Sequence, residues 1–189
     1  PAGLISAISA AETAGIRKIP ASIVVYEKNP DPGRKLLITG SGQCNLTNTS
    51  NESTGTGEGS GAIQDLEKFL THYGSREQAR FLKTAFYAFT NRDTMNFFQR
   101  LGVPVTVRDD GKVFPASFNA ADILNALIQR CYDLKVEIFY SAPISLVEFH
   151  DNVFSVQTGK SEKRSFQKVI IAVGGCTYPA TGSSGDGYL

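Results

Sequence analysis

The chain has 189 residues, of which 41% are hydrophobic and 20% are charged, and its formal net charge is +1. This is the composition of an ordinary globular protein, and the length suits one domain or one and a fraction. Because basic and acidic residues nearly balance, the overall charge gives no electrostatic reason to expect nucleic acid or an anionic membrane as a partner. No apolar run approaches the roughly 20 residues that cross a bilayer, and no signal-peptide pattern is present.

Cysteine and histidine usage indicates neither disulfides nor a metal centre. The three cysteines, Cys44, Cys131 and Cys176, are odd in number and far apart, which is not the pattern of a disulfide framework. They favour a reducing, cytoplasmic location. The two histidines, His72 and His150, have no metal-ligand spacing around them, so we expect no metal site.

The first elements in the chain read as a helix and a buried strand. Apolar residues on one face predict a helix over residues 4–15, with Gly15 as its stop. The continuous apolar run from Ile23 to Tyr26 is typical of a parallel strand that is buried on both faces. Glu27 stands at the carboxyl end of that strand. Further along, the four residues "LLIT" between the basic pair Arg34-Lys35 and Gly40 read as a strand or a turn.

The middle of the chain combines a polar stretch with helices. Residues 48–61 have almost no apolar side chains, which predicts a mobile, protease-sensitive loop. Helices are expected at about 63–72, at about 76–88 behind a capping box of Ser75 and Gln78, and at about 92–101 behind Thr90 or Asn91. Aromatic residues at helical spacing in this region favour a core between the helices over a substrate pocket; they are Phe81, Phe86, Tyr87, Phe89, Phe97 and Phe98.

The rest of the chain is mainly extended. Asp110-Gly111 predicts a β-hairpin turn. The apolar face that follows an Asn119 N-cap predicts a helix, with Cys131 on that face and in the protein core. Strands are expected at about 136–140, 144–149, 152–158 and 166–173, with the last one buried. This order of elements predicts an α/β fold with an insertion.

Glycines and one carboxylate suggest a dinucleotide site. Gly3 lies just before the first helix, where the last glycine of a dinucleotide fingerprint would stand, and Glu27 follows 24 positions later at the end of the second strand. A helix N-terminus attracts pyrophosphate, and such a carboxylate accepts hydrogen bonds from ribose. The two residues alone are also compatible with any βαβ unit that has a capping glycine.

A second glycine cluster follows the last predicted strand. The segment "GGCTYPATGSSGDGY" contains Gly174, Gly175, Tyr178 and Asp186 together with several hydroxyl residues. A glycine-rich turn at the carboxyl end of a parallel strand is where open α/β sheets bind ligands. Tyr178 is a candidate for stacking on a cofactor ring, and Asp186 is a candidate for bonding a cofactor hydroxyl, although packing or loop roles are the alternatives.

Three segments together resemble one protein family. "RKLLITGSGQCNLTN", "DDGKVFPASFNAADILNAL" and "IIAVGGCTYPATGSSGDGY" are similar, in this order, to segments of FAD-binding flavoproteins known as NAD(FAD)-utilising dehydrogenases or aminoacetone oxidase-like proteins. The resemblance spans the whole chain. It implies a Rossmann-like fold of the two-dinucleotide-binding flavoprotein type, with FAD as cofactor and an inserted helical segment at about 62–102.

The resemblance also implies roles for particular residues. Gly3 would belong to the pyrophosphate turn, Glu27 would hold the adenosine ribose, and Ile144 would contact adenine through its backbone. The segment from Arg34 to Asn45 would lie along the flavin side of the cofactor, with Arg34 or Lys35 offsetting phosphate charge. Its expected cofactor-binding residues also include Thr39, Gly40, Gly42, Cys44 and Asn45. A redox role for the Cys44 thiol is the alternative to a small buried hydrophobe.

The chain departs from the family pattern in ways that bear on activity. Gln43 replaces the arginine that precedes Cys-Asn in the family, and Val173 replaces a threonine. The first strand, two fingerprint glycines, and the middle and C-terminal segments of the family are not in this sequence. We therefore expect a partial FAD-binding domain that is a poor enzyme by itself.

Three functions remain open on the sequence alone. The leading hypothesis is an FAD-dependent oxidoreductase that acts on a small-molecule substrate, with NAD(P)H as an electron donor. A non-catalytic flavoprotein remnant that serves as an interaction module is the alternative. An NAD(P)-dependent dehydrogenase without flavin is a third reading, but it leaves the segments "CNLTN" and "GDG" unexplained.

Overall fold

The computed structural model describes residues 1–49, 69–159, 163–182 and 184–188. It divides the chain into two compact units. Unit 1 comprises Pro1–Ile38 and Leu124–Leu189, and unit 2 comprises Thr39–Ile123. Residues 50–61 of the predicted mobile loop at 48–61 and residues 63–68 of the predicted helix at 63–72 lie outside the described residues.

Unit 1 is built on a parallel pair of strands. Strand β1 (Val24–Tyr26) pairs in parallel with β5 (Glu137–Phe139), in the register Val24–Glu137, Val25–Ile138 and Tyr26–Phe139. The preceding helix, α1 (Ala2–Arg17), contacts β1 and buries Leu4, Ala7 and Ile8 on the face expected for a 3.6-residue period. This helix, strand and parallel partner confirm the predicted α/β class.

The end of α1 differs from the prediction that Gly15 stops the helix. The helix continues to Arg17, and Lys18 adopts a left-handed conformation with φ 53° as its cap. The Lys18 N–H reaches the carbonyls of Ala14 and Gly15, which satisfies acceptors that would otherwise be left open at the helix end. The prediction was wrong because a glycine inside a helix lowers helix stability by only about 1 kcal/mol relative to alanine. The hydrogen bonds that close the final turn offset this loss.

The segment after β1 also differs from the prediction. Leu36 and Leu37, the first half of the segment read from the sequence as a strand or a turn, belong instead to a short helix, α2 (Arg34–Leu37). Gly33 precedes it in the left-handed conformation, with φ 71°. A side chain at this glycine would meet a methyl group of Leu124 at 2.6 Å, so the sharp entry into α2 needs glycine.

The most deeply buried helix is α5 (Ala120–Asp133). Its cap is as predicted, because the Asn119 side chain accepts a hydrogen bond of 3.0 Å from the Ala121 N–H. Its buried face consists of Ala120, Ile123, Leu124, Leu127 and Cys131. On the unit 1 side, Arg130 forms an ion pair of 2.7 Å with Glu12 of α1. Through Leu124, Leu127 and Cys131 the helix contributes to the apolar core of unit 1.

An antiparallel sheet completes unit 1. Strands β6 (Ile144–His150), β7 (Val153–Thr158) and β8 (Arg164–Phe166) are arranged in the order β6-β7-β8. Asp151 and Asn152 both have positive φ angles, 50° and 62°, which is the geometry of a tight hairpin turn. The predicted strands at 136–140, 144–149 and 152–158 are therefore confirmed.

The prediction of a buried strand over residues 166–173 was wrong. Only Arg164–Phe166 is extended and paired, and it lies at the edge of the antiparallel sheet. Residues 167–175 have no regular secondary structure, and Ile170, Ile171 and Val173 are 65%, 71% and 52% exposed. A run of apolar residues favours a strand, but a strand needs a hydrogen-bonded neighbour, and the described residues provide none here.

The described part of unit 2 contains a three-stranded antiparallel sheet and the helices α3 (Arg76–Ala88) and α4 (Asn91–Arg100). Strands β2 (Thr47–Asn48), β3 (Val105–Val107) and β4 (Lys112–Pro115) are arranged in the order β2-β4-β3. The hairpin between β3 and β4 confirms the Asp110-Gly111 turn. Helices α3 and α4 both confirm the prediction within two residues.

The expected aromatic core between these helices is only partly formed. Phe98 is buried, and Phe86 packs against Phe69 with ring centroids 5.4 Å apart. Phe81 and Phe89, in contrast, are 83% and 51% exposed. Helical spacing places aromatic residues on a face but does not specify which face is covered, so the prediction was wrong for these two residues.

The Thr90 and Asp93 side chains that cap α4 allow a prediction about how stability depends on pH. The Thr90 side chain accepts from the Asp93 N–H, and the Asp93 carboxylate accepts from both the N–H and the hydroxyl of Thr90. The hydroxyl bond, followed by the backbone bond, lowers the pKa of Asp93 below its usual value. A lowered pKa in the folded state stabilises the fold above the pKa of the unfolded state, and this stabilisation is lost as pH falls through the folded pKa.

We therefore expect Thr90→Ala to lower the free energy of unfolding by about 1 kcal/mol at neutral pH, with a smaller effect in acid. Urea denaturation at pH 7 and at pH 3 measures both values. Asp93→Asn serves as the matched variant, because it removes the titrating group but keeps the hydroxyl cap. An equal Thr90→Ala effect at the two pH values would contradict the assignment.

Among the described residues, no helix combines the length and apolarity required to cross a membrane.

Candidate cofactor-binding site

In unit 1 the loops that follow the two parallel strands are joined by backbone hydrogen bonds. The Glu27 N–H donates to the Phe139 carbonyl at 2.8 Å, and the Ala142 N–H donates to the Glu27 carbonyl at 2.9 Å. The Ser141 N–H donates to the Asn29 carbonyl at 3.1 Å. These bonds form a continuous edge at the carboxyl ends of β1 and β5, which is where open α/β sheets bind ligands.

Glu27 lies on this edge, immediately after β1, as the sequence predicts. Its Oε1 atom accepts hydrogen bonds from the backbone N–H and the side-chain amide of Asn29, both at 2.9 Å. Within the described part of the chain, Oε2 receives no hydrogen bond. The side chain is thus held in place by one oxygen while the other remains available to a ligand hydroxyl.

Helix α1 packs beside the strand that leads to Glu27. It contacts β1, whose last residue, Tyr26, directly precedes Glu27. Gly3 opens the same helix, and a Cβ at this position would lie 3.6 Å from the Cβ of Ala172. A carboxylate beside a helix N-terminus is the pairing that a dinucleotide needs, because the helix end attracts phosphate and the carboxylate attracts ribose hydroxyls.

The glycine-rich segment is connected to the same edge by an ion pair. The Lys28 ammonium lies 2.8 Å from Oδ2 of Asp186 and also donates to the Ser184 hydroxyl. Ser184 in turn donates to Oδ1 of Asp186 at 2.6 Å. The Lys28 bond, followed by the Ser184 bond, lowers the pKa of Asp186. Asp186 is therefore a charged carboxylate that Lys28 positions beside the β1 loop.

Gly182 brings the backbone of this segment close to Asn29. Its φ angle is 89°, and a Cβ at this position would lie 2.8 Å from Nδ2 of Asn29. Any side chain here would be strained in conformation and would displace Asn29, which holds Glu27. The glycine therefore permits the close approach of two loops that are far apart in sequence.

Further unit 1 candidates lie in α2 and the glycine-rich segment. Lys35 donates to the Thr177 hydroxyl at 2.9 Å, and Arg34 lies 3.7 Å from the Asp31 carboxylate. Tyr178 is 67% exposed with φ 58°, and its carbonyl accepts from the hydroxyl of Thr181 at 2.7 Å. The exposed ring of Tyr178 makes it accessible for stacking.

In unit 2 the segment Thr39–Gly42 forms a tight turn. Gly40 has φ 56°, and a Cβ there would lie 3.1 Å from the Asn45 nitrogen and 3.3 Å from the Phe114 ring. The Cys44 N–H donates to the Thr39 carbonyl at 3.0 Å, which closes the turn on itself. This geometry explains glycine at position 40 by packing inside unit 2.

The Cys44 thiol is not prepared for redox chemistry. Cys44 is 4% exposed, and burial raises the pKa of its thiol, against a smaller opposing effect of a hydrogen bond with Thr39. Cys131 is fully buried, and burial raises its pKa to about 11. Both residues are held as neutral thiols at neutral pH, whereas nucleophilic cysteines have lowered pKa values.

The expected cofactor-binding residues belong to both units. Unit 1 brings the loop that contains Glu27 together with Asp186. Its other candidates are Gly3, Arg34, Lys35, Ile144 at the start of β6, Gly174, Gly175 and Tyr178. Unit 2 contains Thr39, Gly40, Gly42, Cys44 and Asn45. These roles remain predictions.

Lys28 and Asn29 were not among the expected site residues, although they make the contacts that organise the unit 1 edge. The only indication of their role in the sequence was their position, directly after Glu27 at the carboxyl end of a parallel strand. Across the described ranges, no group of three or more histidine, cysteine, aspartate or glutamate side chains forms a metal site.

Three curated proteins resemble the chain at modest identity. It is 27% identical over 186 residues to a 3-dehydro-bile acid delta(4,6)-reductase of Clostridium scindens, a match that covers 98% of this chain and 40% of the relative. It is 27% identical over 178 residues to a ribosomal RNA dihydrouridine synthase of Haemophilus influenzae, covering 93% of this chain and 40% of the relative. A protein of the same name from Escherichia coli is 25% identical over 166 residues, covering 88% and 36%.

The chain thus spans about two-fifths of the length of these relatives. The match of the chain to a family profile covers every residue. This match agrees with the parallel β1–β5 pair and with the flavoprotein resemblance of the sequence motifs. The chain belongs to the family described as HI0933-like protein Rossmann domain, which it matches over residues 1–189.

Proposed function

We propose that the chain is the FAD-binding part of a flavin-dependent reductase whose substrate contains a carbon–carbon double bond conjugated to a carbonyl group. Two differently named relatives support this substrate class. A delta(4,6)-reductase acting on a 3-dehydro-bile acid and a synthase that forms dihydrouridine both add hydrogen across such a bond. When bound, a flavin supplies the hydride for chemistry of this kind.

The single observation that carries the proposal is the position of Glu27. It follows β1, which helix α1 contacts, and it keeps Oε2 without a hydrogen bond in the described part of the chain. The Glu27 carboxylate would bind the ribose hydroxyls of the adenosine, and the N–H groups at the start of α1 would bind the pyrophosphate. The available oxygen and the helix end fit a nucleotide cofactor.

Other residues would orient the cofactor. Lys35, whose ammonium already bonds the Thr177 hydroxyl, would offset phosphate charge, and Tyr178 would stack against an exposed ring. Asp186, held as a carboxylate by Lys28, would accept a hydrogen bond from a cofactor hydroxyl. Electrons would come from NAD(P)H. The candidate substrates are a small molecule such as a steroid enone and a uracil base within RNA.

The test is to purify the protein and record its visible spectrum with and without added FAD. We expect bound flavin, identified after release by heat, and oxidation of NADH or NADPH that accelerates when an enone acceptor is present. Failure to bind FAD at any concentration tested would favour the non-catalytic remnant. Bound flavin without enone-dependent turnover would overturn the proposed substrate class.

A further inference from the structure

Asn29 lies where three loops of unit 1 meet. Its carbonyl accepts a hydrogen bond of 3.1 Å from the Ser141 N–H, which links it to the loop after β5. Its backbone N–H and its side-chain amide both donate to Oε1 of Glu27. The amide also lies against Gly182, where a Cβ would be only 2.8 Å from Nδ2. One side chain therefore connects the candidate ribose-binding carboxylate with the glycine-rich segment.

The two bonds from Asn29 determine which oxygen of Glu27 is left for a ligand. Both donors reach Oε1, and Oε2 receives no hydrogen bond within the described part of the chain. The terminal torsion of a glutamate side chain has only a broad preference, so the torsion itself does not fix how the carboxylate is turned. Its orientation therefore depends on the Asn29 donors.

The glycine-rich segment is held against the β1 loop by two kinds of contact. One is the ion pair between Lys28 and Asp186, whose side chains are 33% and 52% exposed. Exposed ion pairs contribute little to stability. The other is the close approach of Gly182 to Asn29, which leaves no space for a side chain between them. Because close-packed groups transmit a displacement, this second contact is the one through which a shift of the segment reaches Glu27.

We propose that Asn29 is a positioning residue that couples the glycine-rich segment to the Glu27 carboxylate. With the segment in place, the Asn29 amide is confined between Gly182 and Oε1, and Oε2 is presented to the cofactor. When the segment is displaced, the amide is released and the carboxylate loses this orientation. Coupling is reciprocal, so a nucleotide bound at Glu27 also holds the segment in place. The inference rests on the proposed function insofar as that nucleotide is the adenosine part of FAD.

The chemistry at position 29 makes distinct predictions for different replacements. Alanine leaves only the backbone donor for Oε1 and removes the contact with Gly182. Aspartate fills the same space but places a second carboxylate beside Glu27, and like charges repel. We therefore expect Asn29→Asp to disturb Glu27 more than Asn29→Ala does.

The first test needs no cofactor and uses hydrogen–deuterium exchange of the full chain, followed by mass spectrometry. Asn29→Ala and Gly182→Ala should each accelerate amide exchange at least about fivefold in the β1 loop and in the glycine-rich segment, and not elsewhere. Asn29→Ala introduces no steric clash, so it tests the coupling even where Gly182→Ala fails to fold. The matched controls are Gly159→Ala, where φ is also positive but the surroundings are open, and Asn125→Ala on the exposed side of α5. Both should leave the two loops unchanged.

The second test measures binding of adenosine diphosphate, which contains the ribose and phosphates of FAD without the flavin. Asn29→Ala should weaken binding roughly fivefold to tenfold, since a hydrogen bond to a charged group is lost. The double variant Glu27→Ala with Asn29→Ala should bind as weakly as Glu27→Ala alone, because Asn29 acts through the carboxylate. A residue with a separate structural role would instead show losses that add.

The two tests reject the proposals separately. Unchanged exchange in both loops of Asn29→Ala would overturn the coupling, and additive losses in the double variant would overturn the positioning role of Asn29. Absence of binding of both adenosine diphosphate and FAD to the wild-type protein would reject the proposed function, while the exchange measurement would still decide whether Asn29 couples the two loops. Nucleotide binding that depends on Glu27 and not on Asn29 would reject this inference alone.

Discussion

Glu27→Ala is expected to weaken FAD binding at least about tenfold. The carboxylate would accept charge-assisted hydrogen bonds from ribose hydroxyls, and each such bond contributes about 1.5–3 kcal/mol, whereas about 1.4 kcal/mol corresponds to a tenfold change in affinity. Removing the side chain also releases the amide of Asn29, which now bonds Oε1 at 2.9 Å. Titration of the apoprotein with FAD, followed by flavin fluorescence, measures the change.

Two further variants separate charge from loop structure. Glu27→Gln keeps an oxygen that can accept the Asn29 bonds but loses the negative charge, so it should retain the loop and still weaken FAD binding. Glu12→Ala removes a carboxylate from the same unit, where it pairs with Arg130 and not with the β1 loop. Its FAD affinity should be unchanged. Wild-type affinity in Glu27→Ala would remove Glu27 from the cofactor site.

Much of the local structure was predictable because its causes lie within a few residues. The hairpin turn at Asp110-Gly111 and the caps at Ser75 and Asn119 depend on contacts two or three positions apart. The position of Glu27 at the end of a parallel strand follows from a short apolar run. Patterns at this range reflect backbone and side-chain preferences that act in the unfolded chain as well.

The contacts that organise the candidate site were not predictable in the same way. Lys28 and Asp186 are 158 positions apart, and neither residue type indicates the other. The approach of Gly182 to Asn29 likewise depends on how two loops are brought together by the tertiary fold. The sequence indicated that both segments belong near a ligand, but only the structure shows that Lys28 positions Asp186.

The apolar run at residues 167–173 shows the opposite limitation. Its composition is that of a buried strand, yet Ile170 and Ile171 are exposed and no described strand pairs with the run. Hydrophobic sequence reports a tendency to be covered, whereas strand formation requires a neighbour that offers backbone hydrogen bonds. The aromatic spacing in α3 has a related limitation. It places the rings on a helix but does not show which face is covered, and Phe81 is exposed.

Leu127→Ala is expected to lower the free energy of unfolding by about 2–5 kcal/mol, because the substitution removes buried methyl groups and leaves a cavity. Leu127 is fully buried on α5, beside Leu124 and Cys131. On this helix the Cys131 thiol contacts the Leu4 carbonyl of α1 at 3.9 Å, so the packed face links two helices of unit 1. Since ordinary domains are stable by only about 5–15 kcal/mol, this loss is a large share of the total. Urea denaturation followed by circular dichroism measures it.

Leu146→Ala is the matched control, because it makes the same chemical change on strand β6, where the side chain is 38% exposed. Leu146→Ala should lower the free energy of unfolding clearly less than Leu127→Ala does, because much of the Leu146 side chain already contacts water and no closed cavity forms. Two compact units allow unfolding in two steps, so the Leu127→Ala change is assigned to the transition that it shifts. Equal losses in the two variants would show that burial on α5 does not carry the stability of unit 1.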